Sequence, residues 1–172
     1  MNTPTPVEVK PSSYNKADMS SQDIDHLMQR AKAEAKSFLG RLPTLGPIVW
    51  LMMQQSATRH TLLSELEWRV LPALMHKQAK LYMRDESPLA YVSWARLSDE
   101  AATRYRQSPH HLTAPDWNSG DQIWLIDLLT PFGGAKERRV ELRREVFPGQ
   151  PVHQLAPAGI TAQPARVMTW PA

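Results

Sequence analysis

The chain of 172 residues contains no cysteine. That excludes disulfide staples, zinc–thiolate sites and a cysteine nucleophile. Glycine is scarce, with 7 residues against 15 prolines, a balance that points to some irregular segments. No apolar run is long enough to span a bilayer. The opening residues, MNTPTPVEVKPSSYNKADMSS, hold no apolar core of signal-peptide length. A cytoplasmic location is the resulting expectation. Neither sign of charge dominates: 20 Lys and Arg against 17 Asp and Glu give a net charge of +3. That mildly basic balance suits nucleic acid, a membrane surface or an acidic protein equally, and alone selects none of them.

What is present is enough for one domain with a tail: 42% of the residues are hydrophobic. Residues 1–20, rich in Pro, Ser, Thr and Asn, read as a disordered tail. Residues 21–40 read as a helical extension, with Ile24, Leu27, Met28, Ala31, Ala35 and Phe38 at helical spacing before Gly40. Residues 41–172 form the main domain. Its LGPIVWLMMQQS reads as a short apolar helix with Pro47 in the first turn. TLLSELEWRVLPALMHKQ reads as a second helix, kinked or ended near Pro72. Residues 56–60 make the junction between them. Residues 81–84 and 89–97 flank turn formers as a hairpin. Ser98 caps a helix through Gln107, and residues 108–121 are loop. A strand over 123–129, a helix over 135–147 and short strands over 152–155 and 166–170 complete an α/β chain, a mixed sheet with helices on its faces.

The stretch IWLIDLLTPFGG, residues 123–134, raises a physical question. Alternation places Asp127 on the face of Leu125 and Leu129, where an unpaired charge is costly. Asp127 either pairs with a buried arginine or orients a catalytic partner. Gly133 and Gly134 allow close backbone approach at the start of the next helix. Among six histidines, His60 stands out, because it lies at the junction of two apolar helices. His110 and His111 are adjacent in a loop, and no histidine spacing matches a zinc motif. In DWNSGD, Asp116, Asn118, Ser119 and Asp121 can bond local amides or shape a cleft. On the helix after Gly134, Lys136, Arg139 and Arg143 share one arc and Glu137, Glu141 and Glu145 another. These are intrahelical ion pairs or a basic stripe that docks an acidic partner.

Three segments together resemble the toxin-activating lysine acyltransferases that activate RTX haemolysins: LGPIVWLMMQQSATRH, SPLAYVSWARLS and DWNSGDQIWLIDLLTPFGG. The matching family patterns are LGxxxWL followed by a histidine, P-[VL]-AYxSWA, and W-x-[SC]-GD-x-x-W-x-[IV]-D ending in PF. The resemblance covers residues 45–147, more vaguely to 170. It implies a GNAT-like α/β fold and transfer of a fatty acyl group from acyl carrier protein to internal lysines of an RTX protoxin. It implies no bound cofactor or metal, no nucleic acid and no stable membrane insertion; self-association into a dimer is left open. It assigns catalysis to Asp127 and to a histidine after the first helix, here His60. Many members read Ser-Pro-x-His-Arg, whereas this chain reads Ser-Ala-Thr-Arg-His; without a gap, Thr58 takes the histidine's place. The first forty residues are an extension on the common form.

The chemistry implied is direct attack by a lysine on a thioester, with a histidine as base and a carboxylate fixing its tautomer. A transient acyl-serine or acyl-histidine stays open. Ser56, Ser119 and Gly133 are candidates for substrate contact, and Lys136, Arg139 and Arg143 for the carrier protein. Trp50, Met52, Met53, Trp124 and Leu128 are candidates for an acyl groove or for ordinary core. The rival expectation is a degenerate acyltransferase fold that only binds a toxin or carrier protein.

Overall fold

The structure, a computed structural model, describes residues 21–156 and 166–170; the expected tail over residues 1–20 lies outside them. The chain divides into two units, residues 1–36 and 37–172. Helix α1 (Ser21–Leu39) forms where the apolar spacing requires one, and its Ile24, Leu27 and Met28 are exposed.

In the second unit five strands form one sheet in the order β1-β2-β3-β4-β5. They are β1 (Ala79–Arg84), β2 (Ser87–Leu97), β3 (Gln122–Leu129), β4 (Val152–Leu155) and β5 (Val167–Trp170). Neighbours are antiparallel except β3 and β4, which are parallel. A parallel pair needs a crossover, and the connection supplies helix α6 (Ala135–Glu145). Helices α2 (Leu42–Gln54), α3 (Leu63–Arg69), α4 (Leu71–Met75) and α5 (Asp99–Tyr105) complete the unit. Leu142 and Phe147 pack with Val92, Trp94 and Leu125 on one sheet face. Residues of α2, α4 and α5 pack with Tyr91, Ala95, Trp124 and Leu129 on the other. This mixed sheet flanked by helices is the α/β class expected, and it is consistent with a GNAT-like arrangement.

Several boundaries differ from the sequence reading for identifiable reasons. α2 starts at Leu42, with Pro43 in its first turn and Pro47 inside the helix. Pro47 removes one backbone donor, which the burial of Ile48, Leu51 and Met52 offsets. The next apolar run breaks at Val70 into α3 and α4, and Pro72 falls in the first turn of α4, where its missing N–H costs nothing. The hairpin turn is tighter than expected, with Asp85 at φ 53° and Ser87 and Pro88 already in β2. The DWNSGD loop contains a 3-10 turn, Ala114–Trp117. Behind it a Cβ on Gly120 would lie 2.6 Å from the Ser98 backbone, so only glycine fits this close approach.

β3 does not keep strict alternation. Ser93 pairs with Asp127 and Trp94 with Leu125, so Ile126 has no partner on β2. The extra residue is a β-bulge. Before it, Leu125 packs on the α6 side and Trp124 on the α5 side, with Ile126 packed against the same cluster. After it the order is inverted: Leu128 packs on the α6 side and Leu129 among α2 and α4. The bulge therefore turns Asp127 away from the face of Leu125 and toward α3.

Candidate active site

Asp127 is 3% exposed, and its partner is Arg69, the last residue of α3. Arg69 Nε donates to Oδ1 at 2.9 Å and to Oδ2 at 3.1 Å. Nη2 donates to Oδ1 at 2.5 Å. The planar guanidinium matches the carboxylate in a way lysine cannot. Burial alone would lower the Arg69 pKa, and the Asp127 carboxylate outweighs it, so the net shift is upward. The Nη1 edge has no partner among the described residues.

Ser93 and Tyr91 project from β2 into the same layer, and both are fully buried. The Ser93 Oγ and the Tyr91 hydroxyl have no well-formed hydrogen bond among the described residues, although they lie close enough for Ser93 to act on the Tyr91 hydroxyl. Burial pushes the Tyr91 hydroxyl up, and the Asp127 charge adds to it; Tyr105 on α5 is shifted the same way for the same reasons. Both phenols are therefore neutral at physiological pH. The result is a buried polar nest of one ion pair and two poorly satisfied hydroxyls, an arrangement that costs stability unless something uses it.

The segment after α2 is a turn fastened at both ends. Gln55 Oε1 accepts from Thr130 N at 2.9 Å, tying the segment to the end of β3. Thr58 is buried and its hydroxyl donates to the Met52 carbonyl at 2.9 Å. His60 is exposed, with no hydrogen bond or ion pair among the described residues. Asp127 and His60 are therefore not bonded to each other; the carboxylate is taken by Arg69.

The remaining sequence candidates fall in three places. Ser56 and Arg139 line one open cavity of about 470 Å³ with Leu128, Thr130 and Gln154. In it the Arg139 Nε and the Gln154 Oε1 are buried and unpartnered. This cavity opens where β3 and β4 part, since only residues 123–125 pair with 152–154. Gly133 lines a separate cavity with Arg84, Phe132 and Arg138. Ser119 is used by the fold: its Oγ accepts from Ser98 N and donates to the Asp116 carbonyl, both at 2.9 Å. The basic arc on α6 does not form one free face. Lys136 is exposed, but Arg143 is half-buried and Arg139 lies over the Trp170 ring at 5.2 Å. Glu141 and Glu145 reach across to Lys80 of β1 at 2.7 and 3.1 Å. Of the proposed groove residues, Met52 and Trp124 are core, while Trp50 and Met53 are exposed.

His110, His111 and His153 make local contacts. His110 Nδ1 lies 2.9 Å from the Tyr105 carbonyl, and His111 stacks on Trp68 at 4.6 Å. No group of three or more His, Asp or Glu residues suited to a metal occurs among the described residues. None of their helices is long and apolar enough to cross a membrane. Arg69 was not singled out from the sequence; the signal that could have found it is the need of Asp127 for a cation.

Comparison with known proteins gives a consistent result. The profile of the RTX toxin acyltransferase family matches residues 39–171. An RTX-III toxin-activating lysine-acyltransferase of Actinobacillus pleuropneumoniae is 40% identical over 115 residues, 67% of this chain and 66% of that protein. A leukotoxin-activating lysine-acyltransferase of Aggregatibacter actinomycetemcomitans is 44% identical over 89 residues, 52% of this chain and 53% of that protein. A protein-lysine myristoyltransferase of Escherichia coli is 41% identical over 92 residues, 54% of each chain. The chain thus spans between about half and two thirds of the length of these curated relatives.

Proposed function

The chain belongs to the RTX toxin acyltransferase family, and from that premise we propose that it is a protein-lysine acyltransferase. It moves a fatty acyl chain from acyl carrier protein to lysine ε-amines of an RTX-type protoxin. The family match over residues 39–171 carries this reading, and the names of the relatives support the reaction class.

At pH 7 on the order of one lysine in a thousand is neutral, so the acceptor must lose a proton before or during attack. Its nitrogen adds to the thioester carbonyl carbon, the C–S bond breaks, and the carrier thiol leaves. His60 is the proposed base, on a turn that Gln55 ties to the end of β3. Asp127 holds Arg69, whose free Nη1 edge can donate to the developing oxyanion. The cavity where β3 and β4 part is the proposed entry of the donor arm; Ser56, Thr130 and Gln154 offer it polar contacts. With no cysteine, an acyl-cysteine relay does not arise.

A second reading has one observation in its favour. Arg69 occupies both oxygens of Asp127 and His60 bonds nothing among the described residues. A chain so arranged could bind a toxin or carrier without transferring. Intact mass of an RTX-type protein co-expressed with and without this chain separates the two. Acyl-mass adducts that depend on the chain support the transferase; a stable complex without adducts supports the binding module.

A further inference from the structure

The surface of the second unit carries an apolar ridge that the fold does not use. Trp50 and Met53 lie one turn apart on α2 and are 41% and 60% exposed; Phe132, in the loop after β3, is 59% exposed. The Trp50 and Phe132 rings touch, with centroids 5.7 Å apart. Single exposed apolar residues are ordinary, but a joined aromatic pair flanked by a methionine marks an interaction surface.

Beside the ridge the cavity lining is cationic, with Glu137 near Gly134 and Glu141 at its margin. Phe132 lines a cavity of about 260 Å³ with Arg84, Leu89, Ala90 and Arg138 and no acidic residue. Arg84 is exposed and makes no ion pair among the described residues. Arg138 lies over the Tyr82 ring at 4.4 Å and shares Glu141 at 2.6 Å. Lys136, exposed at the start of α6, adds a further cation. An apolar centre with cations at its rim fits a partner with the opposite pattern, an acidic surface around an apolar contact.

We propose that the ridge of Trp50, Met53 and Phe132, rimmed by Arg84 and Arg138, is where the acidic carrier of the acyl thioester docks. The inference rests on the acyltransferase reading and assigns its donor surface. The loop after β3 joins the two places: Thr130 and Pro131 line the cavity proposed for the donor arm, and Phe132, Gly133 and Gly134 line the one at the ridge. A carrier seated on Phe132 is therefore one loop away from that cavity. The α6 stripe is a poorer dock, because its cations have no exposed aromatic pair beside them. A second copy of the chain would bring like charges together at this rim.

The test is binding of fluorescently labelled acyl carrier protein, bearing its phosphopantetheine arm, to the full chain. Phe132→Ser should weaken binding about tenfold or more, as truncation of a central aromatic anchor does. Arg84→Glu should weaken it several-fold and flatten its salt dependence. Arg144→Glu makes the same charge change at an exposed α6 site lining neither cavity and should bind as wild type. Unchanged affinity in Phe132→Ser, equal losses in Arg84→Glu and Arg144→Glu, or no carrier binding by wild type would each overturn the proposal. So would loss in Phe132→Ser of a wild-type dimer, or of binding to anionic phosphatidylglycerol vesicles, when carrier binding is unaffected. Carrier binding through these residues without acyl transfer would sink the enzymatic reading and leave the dock standing. Transfer with unchanged KM for the carrier in Phe132→Ser would do the reverse.

Discussion

At the scale of single residues, Asp127 behaves as one half of a pair, and this changes what its substitution should do. Arg69→Ala leaves a carboxylate that is 3% exposed without its cation. Breaking such a pair costs about 3 kcal/mol or more; the 22% exposure of Arg69 places this case at the lower end. Arg69→Lys should recover part of the loss, because one ammonium cannot reproduce the three bonds of the guanidinium. Urea unfolding checks both. Asp127→Asn should also destabilise, as the sequence reading of an acid paired with a buried arginine implies and the catalytic reading alone does not. His60→Ala, by contrast, should melt like wild type, since the imidazole is exposed and unbonded. If His60 is the base, transfer should fall by about 10²- to 10⁴-fold in the same variant; a fully active His60→Ala would move that role elsewhere.

At the scale of elements, the loop before β3 is built around Asp116. Its Oδ2 accepts from the Thr113 amide at 2.9 Å and hydroxyl at 2.7 Å, and its Oδ1 from Arg104 at 2.5 Å. Burial raises this carboxyl, but the Thr113 bonds and the Arg104 charge outweigh it, so the folded value lies below the ordinary one. A depressed folded pKa gives stability that is present above the unfolded value, about 3.9, and lost as pH falls through the folded value. The Tm gap between wild type and Asp116→Asn should therefore be widest near neutrality and narrow as pH falls from about 5 toward 3. A gap that does not vary with pH would show that the charge is unimportant. Elements such as these were largely legible. The hairpin, the Ser98 cap, β3 and α6 follow from turn chemistry and periodicity. The site was legible only in half. Asp127 is conspicuous in an apolar strand, but Arg69 sits in the charged run SELEWR, where it reads as a solvated face, and the pairing spans 58 residues. The bulge was invisible because Ile126 is apolar and suits either face of the sheet.

At the scale of the whole molecule, the buried apolar residues all lie from Ile48 onward among the described residues. Removing residues 1–36, the first unit, should leave a cooperative unfolding transition with Tm within roughly 3 °C of the full chain. Loss of cooperativity in differential scanning calorimetry would show that the first unit completes the core. The net charge of +3 is too small to dictate partners by itself. Local sign matters more, with the arginine rim at Phe132 as the example.

The unpaired Ile126 gives β3 a phase. Upstream and downstream of it the strand is two half-elements out of step, and the site exists because of the step. The constraint between Trp124 and Leu129 is thus on where the extra residue is absorbed, between Leu125 and Asp127, before it is on composition. Exchanging Ile126 for valine keeps the count, and the carboxylate still meets Arg69. Deleting Ile126 would leave a regular strand in which Asp127 still pairs with Ser93 and faces Arg69, whereas keeping Ile126 in a ladder without the bulge would carry Asp127 to the α6 layer, beside Leu142 and Phe147. In the divergence of such chains, a gap at the unpaired residue is a lighter event than a gap at any paired residue of the strand, because it alone keeps the remaining side chains on their present faces.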